Sequence, residues 1–164
     1  MHDVPIDLLQ RMAIFGGVRK ETLAFLLSHC PQIKVTAGDF FFREHEIGDC
    51  LFVLERGSAE VLKSWRGSEH VLQSLKTGDC FGEMAVIDHC ERSASVRALD
   101  DCTAIQISSA DLYRVYAHDL KQFTLIQMNM GREVCRRLRD ADQRLFSAMM
   151  EAGATLPSST SKTD

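Results

Sequence analysis

One stretch of the chain gathers residues whose chemistry shares a target: Phe81-Gly82-Glu83-Met84-Ala85-Val86-Ile87-Asp88-His89-Cys90-Glu91-Arg92-Ser93-Ala94-Ser95-Val96. Gly82 permits close approach of a ligand to the backbone. The amides of Met84, Ala85 and Val86 are expected to point out of the N-terminus of a short helix, where unpaired N–H groups and the helix dipole favour an anion. Arg92 can add a charge-assisted, bidentate contact to the same phosphate. Glu83 needs a different partner, because a phosphate repels a carboxylate. A sugar hydroxyl suits it, as an acidic residue suits the ribose in dinucleotide sites. Together these residues ask for one ligand that carries a compact phosphate beside a ribose hydroxyl. The competing reading is a structural ion pair between Glu83 and Arg92 in a ligand-free fold.

Other chemistries find less support. Six cysteines, Cys30, Cys50, Cys80, Cys90, Cys102 and Cys135, are spread without a CxxC pair or an adjacent histidine. They read as reduced, mostly packed thiols of a cytoplasmic protein, and no metal site or other cofactor is expected. His45, flanked by Glu44 and Glu46, is the nearest approach to a metal-binding cluster. It lacks a second histidine beside it, so a salt-bridged surface turn is expected there. No nucleophile and base stand in a recognisable arrangement, so the chain is not expected to be an enzyme.

The elements that must position this segment are marked by glycine. Gly38, Gly48, Gly57, Gly67 and Gly78 recur about every ten residues, the turn rhythm of short antiparallel strands. Between and after them lie strand-like runs at 33–36, 40–42, 51–54, 59–62, 70–73, 94–98 and 103–107, rich in β-branched and aromatic residues. Pro5, Pro31 and Pro157 all fall outside this section, as interior strands require. Residues 33–108 are thus expected to form an antiparallel, jelly-roll-like β-roll.

Apolar spacing predicts N-terminal capping helices over 5–30, with Gly16-Gly17 between them, and C-terminal helices over 110–150. Ser109 is the expected N-cap of the first C-terminal helix. Met130, Val134, Leu138, Ala141, Leu145 and Ala148 follow coiled-coil-like steps, which predicts either packing on the roll or a homodimer through 130–148. Gly131 is expected to mark a bend or a junction between two helices. Residues 151–164 read as a polar, disordered tail. The whole is an α+β chain: one domain over 1–150 and the tail.

At 164 residues, 45% hydrophobic and 26% charged, the chain can bury a core. A formal charge of −4 disfavours a dedicated polyanion binder. Apolar stretches are interrupted every few residues, and Met1-His2-Asp3-Val4-Pro5 lacks the basic and apolar regions of a leader. Neither membrane insertion nor secretion is expected.

The segment 81–96 resembles the phosphate-binding cassette of the cyclic-nucleotide-binding domain family, whose pattern is FGE, an apolar residue, then Arg, a small or hydroxyl residue and Ala. Gly48-Asp49, Leu51, Val53, Gly57, Val61 and Gly78-Asp79 also match the family's roll, and the resemblance spans about residues 10 to 150. It implies that Glu83 holds the ribose 2′-hydroxyl and Arg92 the cyclic phosphate. Ser93, Ala94 and the amides of Gly82, Met84 and Ala85 would complete the cradle, with Val61 and Leu72 in apolar contact. The family caps the base from the C-terminal helix, and Arg136-Arg137-Leu138 resembles the arginine doublet of the bacterial catabolite activator group. Arg137 would then reach Glu83 or the ligand, unless it belongs to a solvated basic stripe with Arg132, Arg136 and Arg139. Asp142 can accept a hydrogen bond from an exocyclic amine.

The resemblance implies a regulatory sensor for cAMP in preference to cGMP, acting on a separate effector protein through movement of its C-terminal helix. A truncated catabolite-activator-type transcription regulator and a ligand-free interaction module are the alternatives. No second apolar pattern follows Met150 to supply a recognition helix, so no DNA binding is expected.

Overall fold

A computed structural model describes residues 6–153. The N-terminal part comprises α1 (Ile6–Leu9), a 3₁₀ turn (Ala13–Phe15) and α2 (Lys20–Leu27). The strands are β1 (Gln32–Val35), β2 (Phe40–Phe42), β3 (Cys50–Arg56), β4 (Ser58–Trp65), β5 (Ser68–Lys76), β6 (Cys80–Phe81), β7 (Ser95–Ala98) and β8 (Cys102–Ser108). Helix α3 (Glu83–Asp88) lies between β6 and β7, and α4 (Ser109–His118) and α5 (Leu120–Glu151) follow the strands. The strands form two antiparallel sheets, ordered β1-β8-β3-β6 and β2-β7-β4-β5. This is the helix-capped β-roll that the glycine rhythm and the strand-like runs predict. Of the described residues, those up to Met130 make one compact unit and those from Gly131 a second.

In the first unit two apolar layers share one sheet. Leu51 and Val53 of β3, with Ile105 and Ile107 of β8, join a core that includes Leu9, Leu23, Leu112, Ile126 and Met130 from the helices. The alternate residues Phe52, Leu54, Cys102 and Ala104 turn to the other face and pack with Phe42, Ala59, Phe81 and Val96 between the two sheets. Period-two alternation therefore buries both faces of β3 and β8, so Leu51-Phe52-Val53-Leu54 reads as unbroken apolar sequence. Polar groups secure the helical layer. Asn129 donates from Nδ2 to the carbonyls of Gly16 at 2.9 Å and Ile14 at 3.3 Å. Asp119, paired with Arg19, accepts from the amides of Lys121 and Gln122 at the start of α5. Those amides and Arg19 hold its carboxyl below the usual range, the Gln122 bond foremost.

Several local expectations change. The N-cap of α4 is Ser108, one residue before Ser109: its Oγ accepts from the Asp111 amide at 3.1 Å, and Asp111 accepts from the Ser108 amide at 2.9 Å. This reciprocal capping box selects between two adjacent serines. Gly131 does not separate two helices: α5 runs through it as one 32-residue element, and the boundary between the two compact units falls there. The glycine's cost of about 1 kcal/mol is outweighed by the helix propagating on both sides. The two-residue strand β6 was not expected. Gly153, at φ 65, ends α5 with its amide donating to the Met150 carbonyl at 3.2 Å. The tail expected from 151 starts later than that, because α5 runs to Glu151 and 152–153 form its closing turn; the rest of that tail and the leader reading of residues 1–5 lie outside the described residues. Among those residues no helix is long and apolar enough to cross a membrane.

Candidate functional site

The segment from Phe81 to Ala94 is anchored at both ends. On entry, β6 places Phe81 in an aromatic cluster with Phe41, Phe42 and Phe52, ring centroids 4.9 to 6.2 Å from Phe81. Gly82 then turns the chain at φ 77, as the N-cap of α3. That left-handed conformation suits glycine. Glu83 opens the helix and is 1% exposed, Ala85 and Val86 are buried, and Met84 faces outward at 45% exposure. His89 closes α3 at φ 57, its amide donating to the Ala85 carbonyl. On exit, the backbone of Arg92 pairs with the 43–47 turn: its amide donates to the Glu46 carbonyl at 2.8 Å, and its carbonyl accepts from the His45 amide at 2.9 Å.

Arg92 is 4% exposed. Its guanidinium donates to the Gly82 carbonyl at 2.8 Å and the Cys50 carbonyl at 2.7 Å, and reaches Cys50 Sγ at 3.5 Å. It lies 4.1 Å above the Phe42 ring centroid. Arg92 thus turns to backbone carbonyls and not to Glu83, so these two side chains do not form the structural ion pair. Its buried Nε–H has no acceptor among the described residues. A buried cation bonded only to neutral acceptors, with a donor in reserve, is chemically suited to an anion.

The other sequence-predicted residues fall as follows. Ser93 Oγ approaches Met84 Sδ at 3.8 Å, and Ala94 is buried just before β7. Val61 pairs with Val96 of β7 and Gln73 of β5, and packs against the inter-sheet core. Leu72 is the extra residue where the β4–β5 register shifts, and is 50% exposed. In the second unit, Arg137 donates from Nε to Glu133 at 3.1 Å and Asp142 is exposed. Arg136 also pairs with Glu133.

Sequence reasoning missed the supports. Phe42 and the Cys50 carbonyl hold Arg92, and Gly48 leaves room for it. Lys63 on β4 donates to the Ser93 carbonyl at 2.7 Å and pairs with Glu44. Glu44 in turn accepts from the Ser64 amide at 3.2 Å, and the Lys63 bond above all holds its carboxyl below the usual range. Burial pushes the Cys50 thiol upward despite the neighbouring Arg92. His45 is the exposed turn expected, its Nδ1 3.3 Å from Glu91. Among the described residues no group of three or more His, Cys, Asp or Glu could hold a metal ion.

The site thus combines a helix-capped β-roll, a glycine-led turn, a buried glutamate and a buried arginine. The cyclic nucleotide-binding domain model matches residues 32–119, more than half of the chain, and the chain belongs to that family, which is regulatory and not catalytic. It is 29% identical over 133 residues to the cyclic AMP receptor protein of Thermus thermophilus, covering 80% of this chain and 60% of that protein. It is 34% identical over 90 residues to the cAMP-dependent protein kinase regulatory subunit of Emericella nidulans, 55% of this chain and 21% of that protein. The chain therefore spans less than two thirds of either relative. Among solved structures, the Thermus thermophilus catabolite activator protein matches with a TM-score of 0.74 at 27% identity, over 85% of this chain and 64% of that one. A cyclic nucleotide-binding domain from Methylobacillus flagellatus matches in fold with a TM-score of 0.79 at 21% identity, over 94% of this chain and 84% of that one.

Proposed function

We propose that the chain is a sensor for a cyclic nucleotide, cAMP in preference to cGMP, and signals to a separate effector protein through α5. The observation that carries this reading is the buried Arg92 guanidinium, bonded only to uncharged acceptors and keeping an Nε–H in reserve. In this reading Arg92 holds the cyclic phosphate and Glu83 accepts from the ribose 2′-hydroxyl. The amides of Gly82, Met84 and Ala85, with Ser93 and Ala94, line the phosphate. Val61 and Leu72 touch the ligand's apolar surface, and Arg137 and Asp142 serve the base end. The preference for cAMP draws on the cyclic AMP receptor protein and the cAMP-dependent kinase subunit among the relatives.

Signalling through α5 requires contacts made in the bound state that the free state lacks, because a ligand shifts an equilibrium only by its differential affinity. Self-association through α5 is part of the same proposal. A cytoplasmic setting suits six free thiols. A second reading, the sensory part of a catabolite-activator-type transcription regulator, is favoured by the likeness to the cyclic AMP receptor protein.

The test is titration calorimetry of wild type and Arg92→Ala with cAMP, cGMP and 5′-AMP. Wild type is expected to bind cAMP more tightly than cGMP and both far more tightly than 5′-AMP. Arg92→Ala, which removes charge-assisted bonds each contributing about 1.5–3 kcal/mol, is expected to weaken cAMP binding roughly a hundredfold. Folded wild type that takes up neither cyclic nucleotide overturns the proposal in favour of a ligand-free interaction module.

A further inference from the structure

We infer that Gly48, outside the cassette and 44 positions before Arg92 in the chain, is a positioning residue whose missing side chain fixes where Arg92 carries its charge. The consequence for ligand affinity rests on the cyclic-nucleotide reading above; the positioning itself does not.

Four of the five regularly spaced glycines, Gly38, Gly57, Gly67 and Gly78, sit at positive φ, where the turn itself suits glycine. Gly48 does not, so its backbone conformation suits other residues too. What sets it apart is space. A Cβ built on Gly48 would lie 2.2 Å from Arg92 Nε, 2.3 Å from Cζ and 2.7 Å from Nη2, and these are its three nearest neighbours. No carbon approaches so near without displacing something, and here the thing displaced is the guanidinium.

Arg92 cannot shift without loss. Its two terminal nitrogens are committed to the Gly82 and Cys50 carbonyls. The Phe42 ring lies beneath its Cζ, and a cation–π contact strengthens where water is excluded. A Cβ on Gly82 would also meet Nη1 at 2.7 Å, but the φ of 77 there makes any substitution strain the backbone as well. Gly48 alone separates the effect of space from that of conformation. Gly48 and Phe42 thus shape a slot that holds the guanidinium in one pose, and an anion binding there meets a preorganised donor.

The experiment is a double-mutant cycle with two readouts. In the first, melting temperatures of wild type, Gly48→Ala, Arg92→Ala and the double variant are compared without ligand. Gly48→Ala is expected to lower the melting temperature by several degrees when Arg92 is present and to have almost no effect when it is absent. An equal loss in both backgrounds would mean that Gly48 serves the backbone, and the inference falls. Arg92→Met is the second background should Arg92→Ala not fold.

In the second readout, Gly48→Ala and Phe42→Leu are expected to weaken cAMP binding about tenfold or more below their melting transitions. Wild-type affinity in Gly48→Ala overturns the claim on ligand affinity. If wild type itself binds no cyclic nucleotide, the functional proposal fails and the stability cycle still decides whether Gly48 positions Arg92.

Discussion

Removing a guanidinium from water is costly, and Arg92 is tolerated because two carbonyls and an aromatic face replace part of its hydration. Residue types and spacing alone pointed to Gly82, Glu83 and Arg92, because phosphate and ribose chemistry calls for those groups and they lie within one short segment; Ser93 entered only through the family resemblance. Their supports were not legible. Cys50 meets Arg92 across 42 positions, and Phe42 and Gly48 come from other strands and turns, so no local pattern distinguishes them from core or turn residues. The thiols give a second test at this scale. Cys90 and Cys135 are exposed, whereas Cys30, Cys50, Cys80 and Cys102 are buried, and burial raises Cys30 to about 12. Ellman's reagent at pH 8 is expected to label two thiols rapidly in the folded protein and all six in denaturant. Rapid labelling of three or more would contradict the burial of Cys30, Cys50, Cys80 and Cys102.

The strands were legible as elements because each is bounded by turn residues, and the double burial of β3 and β8 left an unmistakable apolar run. The two-residue β6 is too short to carry any periodicity. It becomes a strand only because Phe81 and Cys80 pair with Phe52 and Val53. Helix α5 was legible as a helix but not as a continuous one, since propensity at Gly131 weighs against it and cooperativity decides. Asn129 shows what ties this helix into the first unit. It is 6% exposed and bonds the carbonyls of Ile14 and Gly16, so Asn129→Leu leaves one buried and one half-buried acceptor without that donor. A loss of about 1–3 kcal/mol in the free energy of urea unfolding is expected. Asn129→Leu as stable as wild type would show that the apolar contacts of Ile126 and Met130 suffice.

For the whole molecule, the heptad-like seam divides where the two units do. Met130 is fully buried in the core and is not available to a partner, which corrects the expectation of a seam running from 130 to 148. Leu138 and Leu145, by contrast, are 59% and 61% exposed, and Ala141 and Ala148 are exposed as well. In the proposed dimer these residues would form the shared face. Sedimentation equilibrium at tens of micromolar is expected to give a dimer mass for wild type and a monomer mass for Leu138→Asp with Leu145→Asp. A monomeric wild type, with and without cAMP, would discard the dimer.

The shift in register that makes Leu72 an extra residue has its own consequence at this scale. Strand β5 is the free edge of its sheet, nine residues long and mostly exposed, which is the kind of strand that templates aggregation. The bulge at Leu72 interrupts the regularity of that edge, and Glu69, His70 and Lys76 place polar or charged groups along it. The irregularity at Leu72 thus also works against edge-to-edge pairing of the roll with another sheet.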